Sequence, residues 1–312
     1  MSKSGVTLSP TPVLPREAEA LVRRRARWPA PLRGGGPVLA VALVLVTLWY
    51  ALGLYDNYGF AQQNAAPGAS FHDVLASAMN LPMPFVPLPH QVISDFLDGL
   101  NKPLGSPRGL WLHMGTTGME AGLGLLVGTA LGLVIATIFV HSRPLEAAFL
   151  PYVVASQTVP VLALAPIVIG ILGISLAAKV VVSAYLAFFS VTVSTVKGLK
   201  SADTLAYELM RSYAANPWQV YWKLRFPVAL PYLLTGLKLA ATASLVGAII
   251  AELPFGSTTG LGARLLVATT YNLTIQWWST MLAAAALGLV GFSAVSLLER
   301  LLIKRRSTVG EA

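Results

Sequence analysis

The chain has 312 residues, of which 55% are hydrophobic and 11% charged. Soluble domains carry about a quarter charged residues, so this composition belongs in a lipid bilayer. The formal charge of +9 does not point to nucleic acid, because Lys and Arg sit at the edges of apolar runs, where they set topology. The absence of cysteine excludes disulfides and thiolate metal sites.

Residues 1–36 are rich in Pro, Arg and Gly and read as a disordered basic tail, with a short helix over Arg16–Trp28. The Arg23–Arg27 cluster suits a cytoplasmic anchor facing anionic lipid. The first apolar run starts only near Pro37 and has full span length, which does not fit a signal peptide. Pro37–Tyr55 predicts the first span, with Trp49, Tyr50 and Tyr55 as an interfacial belt at its far end. Residues 56–109 form an external, Pro-rich segment. Within it His90–Leu100 is amphipathic: Val92, Ile93, Phe96, Leu97 and Leu100 share a face, which predicts a helix on the outer membrane surface.

The membrane core is expected over 110–302. Its second span, Leu110–Val140, carries Gly124, Gly128 and Gly132 at steps of four, a stripe that lets another helix approach closely. Glu120 lies about two turns inside this span, where an ionisable group is costly and marks a candidate for a substrate pathway. Pairing with Lys179 is the rival account. Ala147–Leu172 holds Pro151, Pro160 and Pro166 and predicts a kinked or partly unwound third span. Gln157 brings amide donors and an acceptor to that break, either to line a pathway or to pack helices. The fourth, fifth and sixth spans are expected over Val180–Val196, Pro231–Glu252 and Trp277–Leu302, followed by a tail at 303–312. Glu252, at the outer end of the fifth span, is a third pathway candidate and also suits a gate or loop anchor. The glycine-rich loop Gly256–Gly262 lacks the Lys-Ser/Thr of a phosphate loop, so it reads as a tight turn and ATP must be handled elsewhere.

Between the fourth and fifth spans, residues 200–230 are polar and carry their own helix signals. Asp203 is an N-cap for a helix with Leu205, Leu209 and Tyr213 on one face and Glu208 on the more polar side. Asn216-Pro217 opens a second helix, bearing Trp218, Tyr221, Trp222 and Leu224, which Pro227 is expected to stop. Pattern alone fits a packed loop capping a bundle equally well. With six spans the basic residues gather on the side holding both termini and this loop, as the positive-inside rule asks; Lys238 stays within the fifth span.

This loop resembles the cytoplasmic loop of permease subunits of ATP-binding-cassette importers, which reads E-A-A, three residues, G, nine residues, I-x-L-P. Glu208 takes the glutamate position, Leu209 and Met210 those of the alanines, and Ala214 that of the glycine. Leu224 to Pro227 match the I-x-L-P, with no gap in spacing. Alanine at 214 disfavours a left-handed turn, which leaves the detailed loop geometry open while the loop assignment stands. The resemblance runs from about Trp111 to Arg306 and is nearest the nitrate/sulfonate/taurine-type branch. It implies an all-α integral membrane protein: six transmembrane helices with a cytoplasmic helix-turn-helix coupling loop. It implies the cytoplasmic (inner) membrane of a bacterium, with both termini cytoplasmic. It also implies a permease homodimer, ATP-binding-cassette ATPase subunits that bind ATP and Mg, and an external solute-binding protein. No catalytic residue, metal or cofactor is then expected in this chain. Coupling to the ATPase falls on Glu208, Leu209, Met210, Ala214, Ala215, Pro217, Leu224 and Pro227. The stretches Q-T-V-P-V-L-A-L-A-P from Gln157 and E-L-P from Glu252 with G-L-G-A-R up to Arg264 look like the branch importing pyrimidine-type vitamin precursors. Nitrate, sulfonate or taurine import is the alternative. An intramembrane enzyme built on His113, Glu120 and Glu252 is the reading from another class.

Overall fold

The computed structural model describes residues 36–254 and 256–307, and among these the regular elements are all helices. The expected helix over Arg16–Trp28 and the Arg23–Arg27 cluster fall outside the described residues, as does the end of the C-terminal tail. The helices long and apolar enough to cross a bilayer are α1 (Gly36–Gln63), α4 (Leu110–His141), α7 (Leu176–Lys200), the continuous Pro217–Glu252 run and α12 (Thr274–Ser307, apolar to Leu302). Between α4 and α7 lie α5 (Arg143–Ser156) and α6 (Val161–Leu172), bent by 99° relative to each other.

That bent pair makes the sixth crossing, and the packing of its neighbours shows why. Gly124 lies against Ser183, Gly128 against Ala187 and Gly132 against Val191, so α4 and α7 run parallel in steps of four. A chain joining two parallel spans must return through the bilayer between them. Only one of the three prolines breaks the return. Pro160 holds an extended backbone (φ −64°, ψ 113°) at the start of α6, whereas Pro151 and Pro166 stay inside α5 and α6. The Tyr185 hydroxyl of α7 donates to the Ser156 carbonyl, covering a backbone group exposed where α5 ends.

α7 is the shared rod of the bundle. On its other side packs the long helix α10 (Phe226–Glu252), running antiparallel: Gly236 meets Ser190 and Ser194, while Gly247 meets Ser183. Ser183 Oγ also donates to the Ser244 carbonyl at 2.6 Å. Lipid tails supply no hydrophobic drive between apolar helices, so close backbone approach and such hydrogen bonds must hold them together.

The fifth span departs from expectation at its start. Pro227 does not stop the preceding helix. α9 (Pro217–Val220) continues through a π turn, Tyr221–Arg225, directly into α10, and Pro231 lies within α10. Proline cannot donate and its ring crowds the carbonyl four residues back. A widened turn, with the Phe226 N–H bonded to the Tyr221 carbonyl, makes room for it without ending the helix.

At its C-terminal end α1 runs past the expected Tyr55 to Gln63 and packs on α2 (Phe71–Met79), an element the sequence did not reveal, capped by a Ser70/Asp73 capping box. α1 is fixed near its middle. Trp49 Nε1 donates to the Pro87 carbonyl at 2.9 Å and its ring stacks on Trp278 at 5.1 Å. Helix α3 (Pro89–Asn101) buries Val92 and tucks Phe96 and Leu100 against Leu110, Leu261 and Ala283, leaving Ile93 and Leu97 exposed. The amphipathic face is thus shared between the bundle and the outside.

A Cβ on Gly128 would lie 2.8 Å from the Ala184 carbonyl oxygen and 2.8 Å from Ala187 Cβ. Gly128→Leu is therefore expected to force α4 from α7 and to cost at least about 1–3 kcal/mol. Gly122→Leu, where a Cβ meets nothing within 4 Å, is expected to be neutral. Thermal unfolding of the detergent-purified protein separates the two.

Candidate functional site

The first site is the segment between α7 and α10. Asp203 Oδ1 accepts the Leu205 N–H at 3.2 Å and starts α8 (Thr204–Ser212), in which no residue is buried. Leu205, Leu209 and Tyr213, grouped on one face by the sequence, are 72%, 56% and 76% exposed. The apolar face of α8 therefore points away from its own chain. Glu208 is exposed beside it, and Met210 is half-buried.

The turn after α8 decides the conformation of Ala214. Its φ is +51°, the left-handed conformation that glycine would adopt. The Ala214 N–H bonds to the Arg211 carbonyl (2.9 Å) and the Ala215 N–H to the Met210 carbonyl (3.1 Å), closing the helix end. The geometry is thus retained with alanine, against a local cost of about 1–2 kcal/mol. Asn216 then starts α9: its Oδ1 accepts the Gln219 N–H at 2.8 Å, while Gln219 Oε1 accepts the Asn216 N–H at 2.9 Å, with Pro217 in the first turn. Leu224 and Pro227 are half-buried where the segment enters the bundle. The Arg225 guanidinium lies 5.4 Å from the centre of the Tyr207 ring, tying α8 to the π turn.

The second site is a buried polar cluster at the end of the bundle opposite the 200–230 segment. Lys179 Nζ donates to Glu120 Oε1 at 2.7 Å, and both side chains are almost fully buried. The Glu120 carboxyl group also lies against that of Glu252. Thr117, one turn earlier on α4, donates to Glu252 Oε1 at 2.7 Å and accepts the Leu261 N–H at 2.8 Å. Glu252 Oε2 accepts the Gly262 N–H at 2.6 Å. His113 Nδ1 accepts the Gly260 N–H (3.1 Å) in the tautomer whose Nε2–H donates to the Pro107 carbonyl (2.9 Å). Gly260, at φ +113°, leads into α11 (Leu261–Thr270), and a Cβ on it would collide with the Glu252 carboxyl group. The glycines of this loop serve close backbone approach to a carboxylate.

Of the three pathway candidates, the structure brings Glu120 and Glu252 into one cluster and leaves Gln157 apart, exposed at the α5–α6 break. Glu252 holds the first turn of α11, and Glu120 takes the Lys179 pairing. Three further ion pairs were invisible in sequence, the first between Lys200 at the end of α7 and Glu146 of α5. Lys238, on α10, pairs with Glu299 of α12. Arg264, on α11, donates to Thr280 Oγ1 at 3.1 Å and to the Arg108 carbonyl at 3.2 Å, 3.6 Å from Asp95 Oδ2. Pairs joining residues 16 to 169 positions apart leave no periodic signal. Among the described residues no three His, Asp or Glu side chains are placed to hold a metal ion.

A bundle of five long apolar helices and one broken span, with an exposed helix–turn–helix at one face, defines an integral membrane protein. Residues 128–308 match the binding-protein-dependent transport system inner membrane component family, and the chain belongs to it. It is a permease of an ATP-binding-cassette importer of small solutes. It is 32% identical to the formylaminopyrimidine transport permease ThiX of Halalkalibacterium halodurans over 74% of this chain and 90% of that protein. It is 32% identical to a Bacillus subtilis protein named as an aliphatic sulfonates transport permease, SsuC, over 64% of this chain and 72% of the other. Identity to the riboflavin transport system permease RibX of Chloroflexus aurantiacus is 30%, over 70% and 80%.

Removing one member of a buried ion pair strands the other. Lys179→Met is expected to destabilise the protein by about 3–5 kcal/mol, and adding Glu120→Leu to recover most of that loss. Thermal unfolding of the two variants measures it. Ala214→Gly relieves the left-handed strain and is expected to stabilise by about 1 kcal/mol in the same assay.

Proposed function

We propose that this chain works as a non-catalytic homodimeric permease with two ATPase subunits, which bind ATP and Mg, and an external solute-binding protein. Both termini and the 200–230 segment lie in the cytoplasm, in keeping with the clustering of basic residues on that side. The observation that carries this reading is α8: a capped amphipathic helix whose apolar face is covered by none of the described residues. A large exposed apolar surface beside polar residues marks a partner site. Leu205, Leu209 and Tyr213 would seat in a groove of the ATPase, with Glu208 at the rim. Met210, Ala214, Ala215, Pro217, Leu224 and Pro227 shape the turn and its exit into α10. ATP-driven closure of the ATPase pair would then move two such segments together and rock the spans as rigid bodies.

The solute favoured is a neutral nitrogen heterocycle of the pyrimidine type. Two of the relatives above are named for formylaminopyrimidine and riboflavin transport. Charge supports the same choice. Lys179, Lys238 and Arg264 each face a carboxylate, so they are not free to hold a sulfonate within the spans. Glu120 and Glu252, spent on Lys179 and on the loop backbone, support a structural gate at the outer end, and Gln157 at the mid-membrane break remains the group best placed to meet solute. On the outer face a cleft of about 1140 Å³, lined by Tyr55, Tyr58, Phe71, Met83 and Phe85, offers apolar surface to a binding protein.

Leu209→Asp places a charge in the centre of the α8 face and is expected to weaken ATPase association at least tenfold, with normal membrane insertion. Glu208→Lys at the rim is expected to weaken it less. Co-purification of the ATPase with tagged permease reads both, and full recovery with Leu209→Asp would remove the coupling assignment. For the solute, thermal-shift screening of the binding protein is expected to give stabilisation by aminopyrimidines and none by taurine; the opposite pattern would return the sulfonate reading.

A further inference from the structure

Tyr221 opens the π turn and is 3% exposed. Its ring stacks on Trp218 of α9 (5.7 Å, 14°) and lies 5.3 Å from His141 at the end of α4. It belongs to an apolar cluster with Ala136 and Phe139 of α4, Val196 and Leu199 of α7, and Ala229 of α10. A phenylalanine would satisfy all of that. The hydroxyl does something else: it lies 2.8 Å from Thr137 Oγ1 on α4. Thr137 already donates its own proton to the Leu133 carbonyl at 2.8 Å, so Tyr221 is the donor of the bond between them.

The π turn explains how the side chain reaches α4. One extra residue in a helical turn rotates everything upstream by about 100° relative to a regular helix. It lets Tyr221 address α4 while Ala229 and Gly236, further along, address α7. A second tie lies beside the first: Arg225 Nη1 donates to the Val140 carbonyl at 3.4 Å. α8, by contrast, buries nothing. The segment between α7 and α10 is therefore free on the side offered to a partner and fastened on the other side to the cytoplasmic end of α4. α4 is unbroken over 32 residues, and its outer turns carry His113, Thr117 and Glu120, which grip the loop before α11 and Lys179.

We propose that the Tyr221–Thr137 hydrogen bond is the joint through which displacement of the 200–225 segment is passed to α4 and so to the outer end of the bundle. Tyr221 is a positioning residue that touches neither nucleotide nor solute. This inference rests on the coupling reading given above.

The test uses the full-length permease reconstituted in proteoliposomes with its ATPase subunits and binding protein, measuring solute moved per ATP hydrolysed. Tyr221→Phe keeps the ring and its stacking and removes the donor; Thr137→Val removes the acceptor at nearly constant shape. Each is expected to assemble in full yield and to lower the solute-to-ATP ratio about three- to tenfold, the worth of one hydrogen bond. The double variant is expected to be no worse than either single one, because both remove the same bond. Thr137→Ser, which keeps the hydroxyl, is expected to retain wild-type coupling. A normal ratio in both single variants, or losses that add in the double, would overturn the joint. Failure of both to assemble would also overturn it, by making the bond architectural. Leu209→Asp keeps the two readings apart: if it abolishes ATPase association while Tyr221→Phe and Thr137→Val transport normally, only the joint falls. If Leu209→Asp leaves association intact, the coupling surface itself is wrong.

Discussion

The close approach of three backbones along α7 is the constraint on which the rest of this molecule depends. In water, burying leucines would hold such a bundle together; in lipid the surroundings are as apolar as the interior, and that drive vanishes. What remains is contact at short range. Glycine on α4 and α10 and serine or alanine on α7 bring the axes close enough for carbonyls and hydroxyls to meet across the interface, as Ser183 and Ser244 do. The parallel run of α4 beside α7 then dictates that the intervening chain recross the membrane, and a single proline decides where that return path bends.

Both ends of this rigid unit are finished with polar chemistry, and the two ends differ. At the end opposite the 200–230 segment, carboxyl groups are buried and occupied by a lysine, a threonine and the Gly262 N–H in the first turn of α11. Burying charge costs much, and the geometry offsets it by giving Glu252 two donors and Glu120 a cation. That is an arrangement for holding a loop in register. At the other end the polar segment is built to be open: it is capped, turned by a left-handed alanine, and left with its apolar face outward.

The π turn links these two characters. It lets a proline-bearing sequence stay helical from Pro217 to Glu252, so the segment outside the membrane and the fifth span are one mechanical piece. A helix stopped at Pro227 would have left a flexible joint in that place.

Much of this was legible in sequence because lipid imposes simple rules. Long uncharged runs must be helices, since no other open structure satisfies its backbone there, and small residues at steps of four must face a neighbour. The caps at Asp203 and Asn216 likewise declare themselves, because a side-chain oxygen beside free N–H groups is a local matter. Sequence could not say which proline breaks a helix and which is absorbed: Pro151, Pro166 and Pro231 stay within helices, Pro160 breaks one, and Pro227 is accommodated by a π turn. That choice depends on what lies four residues back and on which neighbour covers the freed carbonyl. Nor could it decide between a pathway role for Glu120 and the pairing with Lys179 it also offered, assign Lys238 to Glu299 or Tyr221 to Thr137, or show that Ala214 keeps a left-handed turn. Those pairings join residues distant in the chain, and only the packing of α4 and α10 on α7, with α12 against α10, sets their side chains within reach.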